Sequence, residues 1–215
     1  MRDLKVHLFL LVLVLLYASI AFGETAQEYF ERGTQHLKKG EYRLAVMVTQ
    51  KGLKLAPRSV EGWTNLAHAY YFLGEYGESL KAYQKLVELE PDSYKAWNNL
   101  GVLQTNRRQF KAAIDSLRKA QSLKGDDPGI LINLGEALIA SGNKQEGENP
   151  FQRAVELAPN SPDVWEALGT ARYRLGQYNE AMQAFKRTLE LQPENRKARD
   201  NLVRAERKWK EQTKK

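Results

Sequence analysis

Prolines at positions 57, 91, 159 and 193 are separated by 34, 68 and 34 residues, and Gly125 stands at the missing midpoint. A strict period of this length constrains the fold more than any single residue does. Each copy must be one small unit that completes its core only against its neighbours. Other side chains keep the same register. Trp63, Trp97 and Trp165 align, with Tyr29 and Leu131 at that point in the remaining copies. Leu66, Leu100, Leu134 and Leu168 follow three residues later, each with a small residue directly after it (Ala67, Gly101, Gly135 and Gly169). Ala45, Ser79, Ala113, Gly147 and Ala181 also align, followed four residues on by Thr49, Tyr83, Leu117, Phe151 and Phe185. Five copies run from Ala26 to Asn195.

Within the copy from Val60 to Pro91, Trp63, Leu66, Ala67, Tyr70 and Leu73 fall at helical spacing, and Tyr76, Leu80, Tyr83, Leu86 and Val87 do so again after Gly74. Each unit is therefore expected to be two amphipathic helices joined by a glycine turn. The small residue of the first helix lets the second approach, and the proline ends the second because it cannot continue a helix. One helix pair buries too little to stand alone, so the copies stack into an all-α solenoid over residues 24–193. Pro150 falls inside the second helix of the fourth copy, so either Asn149 caps a shortened helix beginning at Pro150 or the helix kinks there. In residues 194–215, Ala198, Leu202, Ala205 and Trp209 are spaced by four, three and four. This is one apolar stripe on a charged helix, expected to cap the stack with Trp209 as its largest apolar contact.

Residues 1–23 read differently. A charged start from Met1 to Lys5 precedes the uninterrupted apolar run Leu8 to Tyr17, and the small residues Ala21 and Gly23 follow. This is the layout of a secretory signal peptide, with cleavage expected ahead of Glu24 or Phe22. The alternative is a retained membrane anchor over residues 6–22, a stretch at the lower limit for crossing a bilayer. The reading favoured is an exported, periplasmic protein, with a membrane involved only if this segment is kept.

The chain has no cysteine, which excludes disulfides, thiolate metal sites, iron–sulfur clusters, a cysteine nucleophile and a lipid anchor on cysteine. Its formal charge of +7 is unevenly placed. Residues 24–193 hold 22 Lys/Arg against 21 Asp/Glu, whereas residues 194–215 hold nine against four. A neutral body with one basic end does not point to a nucleic-acid partner, and a solvated cap helix accounts for it. Of the three histidines, His7 lies in the leader, His36 in the row packed between the helices of its own unit, and His68 on the concave side of the second copy. None has a second histidine or paired carboxylate at ligand spacing. Close carboxylates such as Glu28 and Glu31, Glu75 and Glu78, or Asp126 and Asp127 fall on outer faces or turns. There is no glycine-rich phosphate loop and no nucleophile elbow. No catalytic residue, metal ligand or cofactor is assigned, and the chain is read as a non-enzyme.

At these residues the sequence resembles the tetratricopeptide repeat family, whose pattern runs W-x2-L-G-x2-Y, then A-x3-F, then P. The copies VEGWTNLAHAYYFLGEYGESLKAYQKLVELEP and PDVWEALGTARYRLGQYNEAMQAFKRTLELQP match it closely. The first copy departs from it at Arg32, Thr49 and Gly52, as terminal repeats do. The resemblance implies a right-handed α-solenoid of five repeats whose concave groove takes a partner's extended segment. The function implied is that of a protein-binding adaptor, which the leader layout would place in envelope or periplasmic assembly; the alternative is a self-associating structural scaffold, membrane-anchored if the leader is kept. Asn65, Asn99 and Asn133 recur at spacings of 34 and stand at a position that faces the groove in this family. An amide offers one acceptor and two donors, so such a row can bond a passing backbone without reading its side chains. The competing role is bonding between neighbouring helices. The same register assigns His68, Tyr71, Phe72, Lys95, Tyr173 and Arg174 to the groove. A clamp for a carboxylate tail does not fit, since around Asn65 only Lys95 matches that pattern.

Overall fold

The computed structural model describes residues 24–214, so the leader readings lie outside the described residues. Every element among them is a helix, in the all-α helix-pair order that the period predicts. The chain divides into two compact units that meet in sequence at Leu89 and Glu90.

The first unit holds two repeats: α1 (Ala26–Lys38) with α2 (Tyr42–Leu55), and α3 (Val60–Phe72) with α4 (Tyr76–Leu89). A capping box starts α1: the Thr25 hydroxyl accepts the Glu28 N–H at 3.2 Å, and the Glu28 carboxylate accepts the Thr25 N–H at 2.7 Å. Ser59 caps α3 by accepting the Gly62 N–H at 3.1 Å. The two helices of the second repeat are pinned where the sequence placed small residues face to face. The Ser79 hydroxyl donates to the Ala67 carbonyl at 2.8 Å, and both residues are fully buried.

The second unit holds three repeats and the terminal helix. These are α5 (Tyr94–Asn106) with α6 (Phe110–Lys124), α7 (Pro128–Ala140) with α8 (Lys144–Leu157), α9 (Pro162–Arg174) with α10 (Tyr178–Leu191), and α11 (Arg196–Thr213). Glycine here is required by close approach. A Cβ on Gly169 would lie 2.6 Å from the ring of Phe185, and one on Gly101 2.5 Å from Leu117. Leu117, Phe151 and Phe185 are in turn at most 1% exposed. The aligned tryptophans have a second use besides packing. The indoles of Trp63, in the first unit, and of Trp97 and Trp165, in the second, each donate to the carbonyl of the proline six residues earlier at 2.8 Å.

Two sequence expectations are corrected. The helix carrying Pro150 does not restart there: α8 runs from Lys144 through Pro150 to Leu157, and its cap is Asn143, not Asn149. An interior proline costs ~3 kcal/mol. It is tolerated because Gly147, Phe151 and Ala154 are buried on both sides of it, and burying a phenylalanine alone returns about 2–3 kcal/mol. In the terminal helix, Ala198 and Ala205 are fully buried and Leu202 partly so, but Trp209 is 38% exposed and is not the main contact of the cap.

Within each unit the first helices of successive repeats touch: α1 with α3, then α5 with α7, α7 with α9, and α9 with α11. Among the described residues of either unit, no two second helices do. The first helices therefore line the inner side of each unit and the second helices splay on the outer side. This splay leaves shallow hollows of about 480 Å³ between α2, α3 and α4, and about 400 Å³ between α6, α7 and α8. Their recurrence in both units marks them as products of curvature, not shaped sites.

Candidate peptide groove and aromatic cluster

The asparagine row occupies the inner helices, yet the amide of Asn65 is engaged by both donors and that of Asn133 by one. Asn65 is only 5% exposed, and its Nδ2 donates to the Phe30 carbonyl at 3.0 Å and to the Thr34 hydroxyl at 3.1 Å, both on α1. The expectation that it offers a free amide to a groove ligand is corrected: both donor hydrogens are spent tying α3 to α1. In the second unit, Asn133 donates to the Asn98 side chain at 2.9 Å, tying α7 to α5 in the same manner. Asn99 is half-buried on α5, and Lys95 is exposed one turn before it.

His68 is half-buried on α3 with its ring 6.2 Å from that of Tyr83 on α4, so it packs against its own repeat. Burial holds its pKa below the usual histidine value, and burial, with the neighbouring Tyr71 second, pushes the Tyr83 phenol up to about 12. Both rings are neutral packing groups at physiological pH. His36 is half-buried on α1 and pairs with Glu41, Nδ1 to Oε2 at 2.6 Å.

The structure gathers exposed aromatic rings around Tyr71. Phe72 lies 5.6 Å from Tyr71 and stacks on Tyr42 at 4.9 Å, while Tyr76 meets Tyr71 edge-on at 5.7 Å. Phe72 is 59% exposed, Tyr76 41% and Tyr71 36%. The C-terminal end of α3 and the start of α4 position three of these rings, and the start of α2 supplies the fourth. Sequence reasoning named Tyr71 and Phe72 but missed Tyr42 and Tyr76. Their signal was present, since Tyr42, Tyr76 and Phe110 recur at 34 residues and Tyr178 lies 68 further on. In the second unit, Tyr173 and Tyr178 repeat the edge-on pair at 5.4 Å, but Arg174 stands where Phe72 stands in the first, exposed to solvent.

Sequence reasoning also missed a half-buried ion pair. Arg172 occupies the place held by Tyr70 in the second repeat and reaches back to α8, where its Nε meets Glu148 Oε1 at 2.9 Å. Gln177 adds a bond to the same carboxylate at 3.0 Å. Burial acts to raise the Glu148 pKa, but the hydrogen bonds from Gln177 and Arg172, with the charge of Arg172, hold it below the usual value. This network joins the fourth repeat to the fifth. Among the described residues no group of three or more histidines and carboxylates has the arrangement of a metal site.

Paired helices in a 34-residue register, a small residue beneath each second-helix side chain, and first helices lining the inner side define a tetratricopeptide repeat protein. The chain belongs to the family of the cilia and flagella-associated protein 70 C-terminal domain, whose model matches residues 21–200. No curated protein is matched by the sequence. Among solved structures, the chain is similar to MamA protein, at 26% identity over 82% of this chain and 96% of that one, with a TM-score of 0.69. It is similar in fold to MamA from Desulfovibrio magneticus RS-1, at 21% identity over 81% and 98%, TM-score 0.72. A third is YrrB, a TPR protein with an unusual peptide-binding site, at 18% identity over 85% and 92%, TM-score 0.67.

Proposed function

We propose that this protein is a non-enzymatic interaction adaptor that holds a partner's extended segment on the inner side of its helices, anchored by the aromatic cluster of the first unit. The observation that carries this reading is the exposure of Phe72, Tyr71 and Tyr76 as one contiguous group of rings at the end of an inner helix. Such rings offer a large apolar area at low entropic cost, with phenolic tips to bond a passing backbone, and they dominate interface energetics. The amide of Asn65, spent on α1, shifts the weight of recognition in the first unit from a polar ladder to these rings; on the second unit Asn99, Lys95, Tyr173 and Arg174 are polar and aromatic groups that could contact a partner on their own account. The leader layout adds that the adaptor works after export, in the periplasm.

The test is recovery of a partner from the native envelope with the purified chain as bait, repeated with Tyr71→Ala combined with Phe72→Ala. Both side chains are exposed, so helix content by circular dichroism should be unchanged while partner recovery falls by about tenfold or more. Equal recovery by the folded variant would place binding elsewhere. Concentration-dependent light scattering of the isolated protein, without partner, would instead favour a self-associating scaffold.

A further inference from the structure

The outer side of α2 is built unlike that of any other second helix. Leu44, Met47, Lys51 and Leu55 follow one another at spacings of three, four and four, and Arg43, Met47, Gln50 and Lys54 at four, three and four. These two adjacent rows share the outward side of the helix, while Val48, Thr49, Gly52 and Leu53 are buried on the other. Leu44 is 42% exposed, Met47 50% and Leu55 58%, and Arg43, Lys51 and Lys54 are exposed beside them.

The repeat register sets this face apart. Where α2 carries Leu44, the other copies carry Glu78, Ala112, Glu146 and Glu180; in place of Met47 they have Lys81, Asp115, Asn149 and Gln183. A basic residue at the Lys51 position is common to all five copies. In the second, fourth and fifth a glutamate three residues on neutralises it: Lys85 with Glu88 at 2.7 Å, Arg153 with Glu156 at 2.8 Å, and Arg187 with Glu190 at 2.7 Å. The first copy has Lys54 at that place, and Arg58, in the turn after α2, stands where Asp92, Asp126 and Glu194 stand later.

α2 itself contains no acidic residue. Carboxylates border its outer face at Glu24, Glu41 and Glu78, and each is engaged: by Arg32 at 2.6 Å, by His36 at 2.6 Å and by Lys81 at 2.7 Å. Among the described residues Arg43, Lys54 and Arg58 have no carboxylate partner, and Lys51 lies over the Tyr29 ring at 6.0 Å. Two copies of this face set against each other would oppose like charges. A protein partner is held chiefly by aromatic anchors in shaped pockets, and no ring stands among these exposed residues. Leucine and methionine scattered between lysines instead suit an anionic bilayer surface, where acyl chains take the apolar groups, phosphates take the cations, and the lysine stems span the two. This repeat is also the one joined in sequence to the apolar run Leu8 to Tyr17.

We propose that the outer face of α2 rests on an anionic lipid surface, with Leu44, Met47 and Leu55 entering the headgroup boundary and Arg43, Lys51, Lys54 and Arg58 on lipid phosphates. The helix lies in the interface without crossing it; no helix among the described residues is long and apolar enough to span a membrane. Tyr42, on another side of α2, stacks on Phe72, so the aromatic cluster lies off this face. The contact therefore does not depend on the groove, nor on whether the leader is kept.

Because the chain has no cysteine, a single introduced one carries a polarity-sensitive dye without background. The full chain is mixed with vesicles of phosphatidylglycerol and phosphatidylcholine in equal parts, with a spin label on some headgroups. The dye on Met47→Cys should shift to the blue and be quenched, whereas the dye on Gln183→Cys, the same register position in the fifth copy, should not. Lys51→Glu with Lys54→Glu should lower the docking constant read from that quenching by about tenfold or more, with helix content unchanged by circular dichroism. Tyr71→Ala with Phe72→Ala should leave it as it is, which separates the two surfaces. The proposal is overturned by equal quenching at the two positions, by none at Met47→Cys, by quenching as strong on phosphatidylcholine alone, or by quenching that survives the charge reversal. It is equally overturned if the chain prefers soluble poly-glutamate to the vesicles at equal charge, which would mark a protein partner. Self-quenching of the dye that grows with protein concentration in the absence of vesicles would give the face to a second copy instead.

Discussion

Replacing Asn65 by alanine tests whether the asparagine row serves binding or the fold. The side chain is nearly fully buried, and both amide hydrogens reach α1, one to the Phe30 carbonyl and one to the Thr34 hydroxyl. The Thr34 hydroxyl can itself donate to the Phe30 carbonyl at 3.1 Å, so that acceptor is not orphaned by the change. The loss is then two hydrogen bonds at about 1 kcal/mol each, or about 2 kcal/mol in total. Asn65→Asp should cost more, since it removes both donors and turns a buried carboxylate toward a carbonyl oxygen. Urea denaturation followed by circular dichroism gives the total. Hydrogen exchange gives the location: amides of α1 should lose protection first, because α1 reaches the second repeat through this contact. Thr34→Val in a double-mutant cycle with Asn65→Ala should show coupling of about 1 kcal/mol. If the midpoint and the α1 protection stay unchanged while partner binding falls, the amide faces a ligand and the reasoning is wrong.

Arg108 is the only non-glycine residue of the described chain at positive φ, with φ at 60°, and it occupies the turn position that glycine holds in the other four repeats. Since the left-handed region costs a side-chain-bearing residue ~1 kcal/mol or more and glycine's greater unfolded entropy offsets part of that, Arg108→Gly should stabilise by about 0.5 kcal/mol, read as a higher denaturation midpoint. The Glu148 carboxyl has a folded-state pKa below its unfolded value near 4.5, so it contributes stability above that value and loses it as pH falls through the folded one. Trp165 on α9 should report this as an emission change on acidification below about pH 5, and Glu148→Gln should flatten it.

The fold was legible because its information is repeated. Trp63, Trp97 and Trp165, and the small residues after each leucine, state one packing problem several times, so a departure such as Thr49 or Arg172 does not obscure the period. The site was less legible because facing the inner side is not the same as being free. Asn65 has the position expected of a ligand-binding amide, but the backbone of α1 passes within 3.0 Å of it and takes its hydrogens. Distance between repeats is a tertiary quantity that no spacing in one copy reveals. A helix restarting at Pro150 fails for a related reason: local propensity favours a break, and the burial of Phe151 and Ala154 outweighs it. Tyr42 and Tyr76 keep the spacing of the period, but they open second helices, whereas the groove reading rests on first-helix positions.

The proposed groove follows from one property of a repeat's first helix. It is built to meet a neighbour on each of several sides: the preceding pair, the following first helix, and its own second helix. Among the described residues the inner side has no such neighbour in either unit, so it must be covered by water or by a ligand, and polar or aromatic residues collect there.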